Sequence, residues 1–170
     1  MAVRGAVILI VMGVAGCGKT TLGQALAKCL QLPFKEGDDL HPPANVAKMS
    51  GGQALDDHDR APWLEAIGHW IDGWRRDGVS GVITCSALKK RYREVLSKNR
   101  PDVAFVYLSG APALIERRMA GRLGHFMPPA LLASQFAALE APGRDERVIE
   151  VSAAMSLEDQ LAALRKGLDR

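Results

Sequence analysis

The sequence predicts an α/β fold of three layers, α/β/α, with a five-stranded parallel sheet at its centre and a helical lid. Two observations predict it. Short apolar bursts alternate along the chain with segments of helical periodicity, the order that lays helices on both faces of a parallel sheet. The first burst, Val7–Met12, runs directly into Gly13-Val14-Ala15-Gly16-Cys17-Gly18-Lys19-Thr20, a G-x-x-x-x-G-K-[ST] loop.

That loop makes the expected core P-loop NTPase-type. A strand delivers the chain to a glycine-rich turn whose N–H groups, from Gly13 through Gly18, curl inward around phosphate. Lys19 reaches the terminal phosphates of a nucleoside triphosphate, the Thr20 hydroxyl suits Mg²⁺, and Thr21 follows in the same turn. The confirming context is a helix behind the loop, and Leu22, Ala25, Leu26, Cys29 and Leu30 recur at helical spacing over Thr20–Leu30. The same stretch also has the form of a lipoprotein signal, with Arg4, an apolar run and a small-residue segment ending at Cys17. Cleavage before Cys17 would discard the strand that presents Lys19, so the phosphate loop is the better reading.

The remaining strands are expected at Leu32–Lys35, Val79–Cys85, Val103–Leu108 and Val148–Val151. Helices are expected at Ala61–Asp77, Lys89–Asn99, Ala113–Arg122, Pro129–Leu139 and Leu157–Leu168. In such a sheet, ligands bind beyond the carboxyl ends of the strands, so the loops after each strand hold the chemistry.

Length and composition set the frame. A chain of 170 residues makes one domain, 1–170, with a substantial core. Its 48% hydrophobic and 24% charged content is that of a globular protein, and a net charge of +3 does not mark a nucleic-acid binder. Three cysteines without a C-x-x-C pair speak for a reducing compartment, with neither disulfides nor zinc. No apolar run of about 18 residues is present to span a membrane. A cytoplasmic location is expected.

After the second strand, Glu36-Gly37-Asp38-Asp39-Leu40-His41 places three carboxylates and a histidine where the triphosphate should lie. An alcohol that accepts a phosphoryl group needs a carboxylate to orient it and take its proton, and a second carboxylate can help hold Mg²⁺ through water. A plain acidic, solvated turn is the alternative. Further on, Gly51-Gly52 break any helix, and Asp57 or Asp59 is placed to cap a helix starting near Ala61, with Pro62 in its first turn. Arg60 either grips a substrate carboxylate bidentately or pairs with Asp56, Asp57 or Asp59. Trp63, Ile67, Trp70, Ile71 and Trp74 form a helical stripe read as core, and His58 and His69 are read as helix-face residues.

After the third strand no hydrophobic run ends in Asp; Cys85 and Ser86 stand there instead, which leaves Mg²⁺ to Thr20, phosphates and water. Lys89, Lys90, Arg91 and Arg93 point to several sides of a helix, which favours a mostly solvated face over an RNA site. After the fourth strand, Arg117, Arg118 and Arg122 precede Gly124-His125-Phe126. Arg118 and Arg122, four apart on one face, make a lid pair suited to neutralising a transferring phosphoryl group, whereas Arg117 reads as an ordinary charged surface residue.

Taken together, Gly37-Asp38-x-Leu40-His41-Pro42, Asn45-x-x-Lys48-Met49, Leu55-x-Asp57-x-Asp59-Arg60-x-Pro62-Trp63-Leu64, Cys85-Ser86-Ala87-Leu88-Lys89-Lys90-x-Tyr92-Arg93 and Ser134-Gln135-Phe136 resemble the pattern of small P-loop gluconokinases, relatives of shikimate and nucleoside monophosphate kinases. The resemblance runs from the phosphate loop almost to the end of the chain. It implies transfer of phosphate from ATP, with Mg²⁺, to D-gluconate, giving 6-phosphogluconate. It implies Asp38 as the residue that orients and deprotonates the acceptor hydroxyl, Arg60 at the gluconate carboxylate, and His41, Lys89 and Gln135 in the substrate pocket. Arg122 then fits a lid arginine at the phosphates, and Ala141–Arg147 a loop near adenine. Glu36 stands where many relatives carry Asp. A shikimate kinase would carry Gly-Gly-Gly after the third strand, and this chain does not. An acceptor segment at about 40–77 and a lid at about 117–130 follow from the same resemblance. Kinases of this kind are often homodimers, although no residue here demands it.

Overall fold

In a computed structural model of the chain, residues 6–121 and 129–169 are described. The elements run β1 (Ile8–Met12), α1 (Lys19–Leu30), β2 (Phe34–Lys35), a short 3₁₀ turn (Gly37–Leu40), α2 (Pro43–Ser50), α3 (Asp57–Arg76) and β3 (Gly81–Thr84). They continue through α4 (Lys90–Ser97), β4 (Val103–Ser109), α5 (Pro112–Ala120), α6 (Pro129–Ala138), β5 (Val148–Ser152) and α7 (Leu157–Leu168). All strand pairs are parallel and the order is β2-β3-β1-β4-β5, so the expected five-stranded sheet is present.

The central strand shows why the layers form. β1 is buried along its whole length, and its side chains alternate between faces with the period of two that a strand imposes. Ile8, Ile10 and Met12 pack with Trp63, Ile67 and Ile71 of α3 and Leu96 of α4. Leu9 and Val11 enter the opposite core with Leu22 and Leu26 of α1 and Leu164 of α7. Among the described residues no helix is long and apolar enough to cross a membrane.

Two expectations about the acceptor-side elements are corrected. Asn45–Ser50 belongs to a helix, α2, that hydrophobic periodicity hides: its buried side chain is the polar Asn45, while Val46 and Met49 are exposed. Pro43 occupies its first turn, where a missing N–H costs nothing. Helix α3 starts four residues earlier than expected, and its cap is neither Asp57 nor Asp59. Asp56 accepts from the Asp59 N–H at 2.8 Å while the Asp59 carboxylate accepts from the Asp56 N–H at 2.9 Å, a reciprocal capping box that leaves Pro62 in the helix interior.

The stripe on α3 is core at Trp63, Ile67 and Ile71 but not at Trp70, which is 40% exposed and lies under the Lys35 ammonium at 4.4 Å. His58 and His69 are exposed, as expected. Arg122, with His125 and Phe126, lies outside the described residues.

Candidate active site

The phosphate loop leaves β1 with Gly13 at φ 148°. A side chain there would come within 2.7 Å of the Leu108 carbonyl oxygen and 2.8 Å of the Cys17 sulfur, so the turn admits only glycine. Val14 and Cys17 are buried beneath the loop, whereas Ala15, Gly16, Gly18, Lys19, Thr20 and Thr21 line a cleft of about 760 Å³. Lys19 folds across the loop, its ammonium donating to the Val14 carbonyl at 2.9 Å. Gly13, Ala15 and Cys17 already donate their N–H groups, to the Ser86 carbonyl, the Gln135 side chain and the Val14 carbonyl, so a phosphate would meet the other donors of the loop at the start of α1.

The opposite wall begins at the end of β2. Glu36 accepts from Thr20 Oγ1 at 2.6 Å through one carboxylate oxygen and from the Thr84 hydroxyl through the other. Thr84, the last residue of β3 and 1% exposed, also accepts from the Gly37 N–H at 3.0 Å. A buried threonine therefore ties the acidic turn to the sheet. No spacing in the sequence marks this residue. The donor set, one hydroxyl and one carboxylate at the mouth of the phosphate loop, is the hard-oxygen chemistry that suits Mg²⁺. Among the described residues no group of three or more His, Cys, Asp or Glu forms a metal cage, so a metal here would take most of its ligands from phosphate and water.

Gly37 is buried against β3, and any side chain on it would overlap the Thr84 carbonyl oxygen. Its own carbonyl accepts from Trp63 Nε1 at 2.9 Å. Gly37→Ala is accordingly expected to destabilise the protein by about 1–3 kcal/mol of overpacking and to lower turnover with it, read as a thermal melt and an assay on one preparation.

Asp38 follows, its side chain 71% accessible on the cleft side, with His41 Nε2 3.8 Å from one carboxylate oxygen. The protein mass around the cleft floor disfavours its charge and raises its pKa; Lys19 opposes this, and the neighbouring carboxylates Glu36 and Asp39 add to it. The carboxylate thus looks onto an open cleft but holds its charge less easily than one in free solution.

His41 stacks on Trp63 with ring centroids 4.1 Å apart. Burial, aided by the charge of Arg60, pulls its pKa down to about 4, so the ring is neutral at pH 7. Asn45 Nδ2 donates to the Asp59 carbonyl at 2.8 Å and stands 3.3 Å from His41 Nδ1. An amide donor against Nδ1 puts the ring proton on Nε2, facing Asp38. Asp59 is fixed in turn by Lys48 at 2.6 Å. Asn45 and Lys48 occur in the motifs quoted above, but their supporting work is visible only once α2 is seen to pack beside α3.

Arg60 lines the cleft and pairs with no carboxylate among the described residues; its guanidinium donates to the Tyr92 hydroxyl at 3.3 Å. Gln135 lines the cleft too, accepting from the Ala15 N–H at 2.7 Å, which places it against the phosphate loop. Lys89 does not line the cleft. It bonds Asp57 at 3.1 Å, because the start of α4 turns it toward the first turn of α3.

The comparisons with known proteins fall on one side. A family model described as shikimate kinase matches residues 15–130. A gluconokinase of Gluconobacter oxydans (strain 621H) is 51% identical over 144 residues, covering 85% of this chain and 81% of the relative. The chain belongs to the gluconokinase family. The thermosensitive gluconokinase of Escherichia coli (strain K12) is 49% identical over 82% of this chain and 75% of its own. The crystal structure of a gluconokinase from Sinorhizobium meliloti 1021 superposes with a TM-score of 0.89 at 42% identity, covering 98% of this chain and 94% of that one.

Not every residue expected at the site of this gluconokinase-family fold lines the cleft. Arg118 is exposed on α5 outside the cleft lining, while its neighbour Met119 reaches the loop at Gly16. The basic cluster of α4 is not a free cationic face. Lys90 bonds Asp145 at 2.7 Å, and Arg91 pairs with Asp57. Arg93 is 1% exposed, forks onto Glu146 at 2.6 and 3.1 Å, and donates to the Ala87 and Leu88 carbonyls. The expectation of a mostly solvated face fails at Arg93, because α4 is clamped by the segment between α6 and β5. Cys17, Cys29 and Cys85 are all free thiols, and burial pushes Cys85 up to about 12.

Proposed function

We propose that this protein transfers the γ-phosphoryl group of ATP to D-gluconate, forming 6-phosphogluconate and ADP. The observation that carries the reading is the cleft itself: a phosphate loop on one wall, and on the other a carboxylate (Asp38) and a guanidinium (Arg60) that pairs with no carboxylate among the described residues, the two groups a hydroxy acid needs.

In this mechanism the phosphate loop Gly13–Gly18, through the N–H groups it does not spend on internal bonds, binds the triphosphate with Lys19 and Thr21. Lys19 leaves the Val14 carbonyl for the β- and γ-oxygens. Thr20, with Glu36 acting through water, would hold Mg²⁺, which supplies charge neutralisation on the phosphates. Asp38 accepts the proton of the attacking hydroxyl, and its raised pKa brings it closer to that task. Neutral His41 presents Nε2–H beside Asp38 and donates to a substrate oxygen. Arg60 receives the gluconate carboxylate, and Gln135 borders the gluconate pocket from the loop side. Arg118 and Arg122 close from the lid at about 117–130 and stabilise charge as the phosphoryl group moves. The acceptor segment spans about 40–77, and the Ala141–Arg147 loop borders adenine.

The test is direct. Purified protein with Mg²⁺, ATP and D-gluconate is expected to yield one new phosphomonoester resonance by ³¹P NMR, assigned to the terminal carbon of the sugar acid, in step with ADP. ATP binding without a phosphoester product would contradict the proposal.

A further inference from the structure

We propose that Tyr92 is the positioning residue for Arg60, aiming its guanidinium at the acceptor end of the cleft through a relay that ends on Asp57; this rests on reading Arg60 as the anchor of the gluconate carboxylate.

The geometry is a continuous chain of donors and acceptors between α3 and α4. Arg60 Nη1 donates to the Tyr92 hydroxyl at 3.3 Å, with the guanidinium carbon 5.6 Å from the centroid of the same ring. The hydroxyl donates onward to Asp57 Oδ1. Tyr92 is 4% exposed, so its ring is fixed by packing and its hydroxyl has one place to be.

The design solves an electrostatic problem. Arg60 sits one to four residues from Asp56, Asp57 and Asp59, any of which would neutralise it by pairing. Asp59 is held by Lys48, and Asp57 is saturated by Lys89, Arg91 and Tyr92. Those cations spare Arg60. What Arg60 receives instead is a neutral oxygen and an aromatic face, partners that set its direction but leave its positive charge for an anionic ligand. Because the phenol is itself donating to a carboxylate, its oxygen is polarised and accepts more strongly from the guanidinium. Lys89 therefore contributes to the acceptor pocket indirectly, by occupying Asp57.

Steady-state kinetics on Tyr92→Phe, Arg60→Ala and the double variant form the test, with melting temperature and the KM for Mg-ATP measured alongside. Tyr92→Phe is expected to raise the gluconate KM by about fivefold, the scale of one hydrogen bond to a charged group lost and partly replaced by water. Its kcat, ATP KM and melting temperature should hold. Arg60→Ala is expected to raise the gluconate KM further, and the double variant should match Arg60→Ala alone, because Tyr92 acts through Arg60. Asp57→Asn, at a half-exposed position, reads the relay from its far end and is expected to raise the same KM by about two- to threefold on the same hydrogen-bond scale.

A gluconate KM unchanged in Tyr92→Phe or Asp57→Asn, with Arg60→Ala impaired, would overturn the relay and leave the anchor standing. Effects of Tyr92→Phe and Arg60→Ala that multiply would also overturn it, since Tyr92 would then act elsewhere. An Arg60→Ala variant with normal gluconate KM would overturn the anchor itself.

Discussion

Asp38→Asn is expected to lower turnover on gluconate by about 10²–10⁴-fold, the range for removing a positioned general base. Mg-ATP binding should be retained. The reason for the split is geometric: Asp38 faces the cleft near His41, whereas Glu36, not Asp38, bonds the Thr20 hydroxyl on the phosphate side. Isothermal titration with a non-hydrolysable ATP analogue beside single-turnover kinetics separates the two quantities. A parallel loss of ATP affinity would assign Asp38 to the metal instead. The same residue sets a pH dependence. Its pKa is raised by its place in the cleft, so the carboxylate takes up a proton at a higher pH than an ordinary aspartate as acidity increases. The acid limb of kcat/KM should therefore lie at higher pH than an unperturbed aspartate would give and should disappear in Asp38→Asn. His41, at about 4 and neutral above that, adds no inflection near pH 6.5.

Arg93→Ala is expected to be the most destabilising single change considered, at about 3–5 kcal/mol, because removing one member of a buried ion pair strands the other. Arg93 is 1% exposed and Glu146 11%, so the stranded carboxylate has little water to turn to. The Ala87 carbonyl loses its donor in the same step, and the Leu88 carbonyl loses one of two, keeping the Glu140 N–H at 2.8 Å. Replacing the pair together by Arg93→Met and Glu146→Leu should recover part of the loss but not all of it, since the Ala87 carbonyl still lacks its donor. Chemical denaturation of the three variants measures this. The loop at Gly143–Glu146 is tied to α4 through Arg93, so, if it borders adenine as proposed, Arg93→Ala should also weaken nucleotide affinity.

How much could be read in advance depended on whether a residue's role is written in spacing or in packing. The phosphate loop is a local pattern with a local cause, and β1, α1 and α7 carry clean periodicities, so all were legible. Asp38, in the turn after β2, and Arg60, near the start of α3, are expected from the sequence in the acceptor pocket, and both line the cleft. Helix α2 was not, because eight residues with a buried Asn and exposed Val and Met show no apolar face. Lys89 was assigned to the pocket by resemblance, yet the start of α4 turns it to Asp57, a fact that needs the α3–α4 contact. Thr84 and Tyr92 bond cleft-lining side chains, Glu36 and Arg60, 48 and 32 residues away in sequence, and no one-dimensional pattern registers that. Arg93 looked like one more surface cation until the segment before β5 closed over it.

The most direct test of the central claim is the acceptor profile. ADP release with Mg-ATP would be followed for D-gluconate, shikimate, D-glucose, other sugar acids and nucleoside monophosphates, using wild type and Arg60→Ala in parallel. Strong turnover on D-gluconate, little on D-glucose, which lacks the carboxylate, and a selective loss on gluconate in Arg60→Ala are the expected results. Equal turnover on D-glucose, or preferred turnover on shikimate or a nucleotide, would contradict the assignment of Asp38 and Arg60 as a gluconate site.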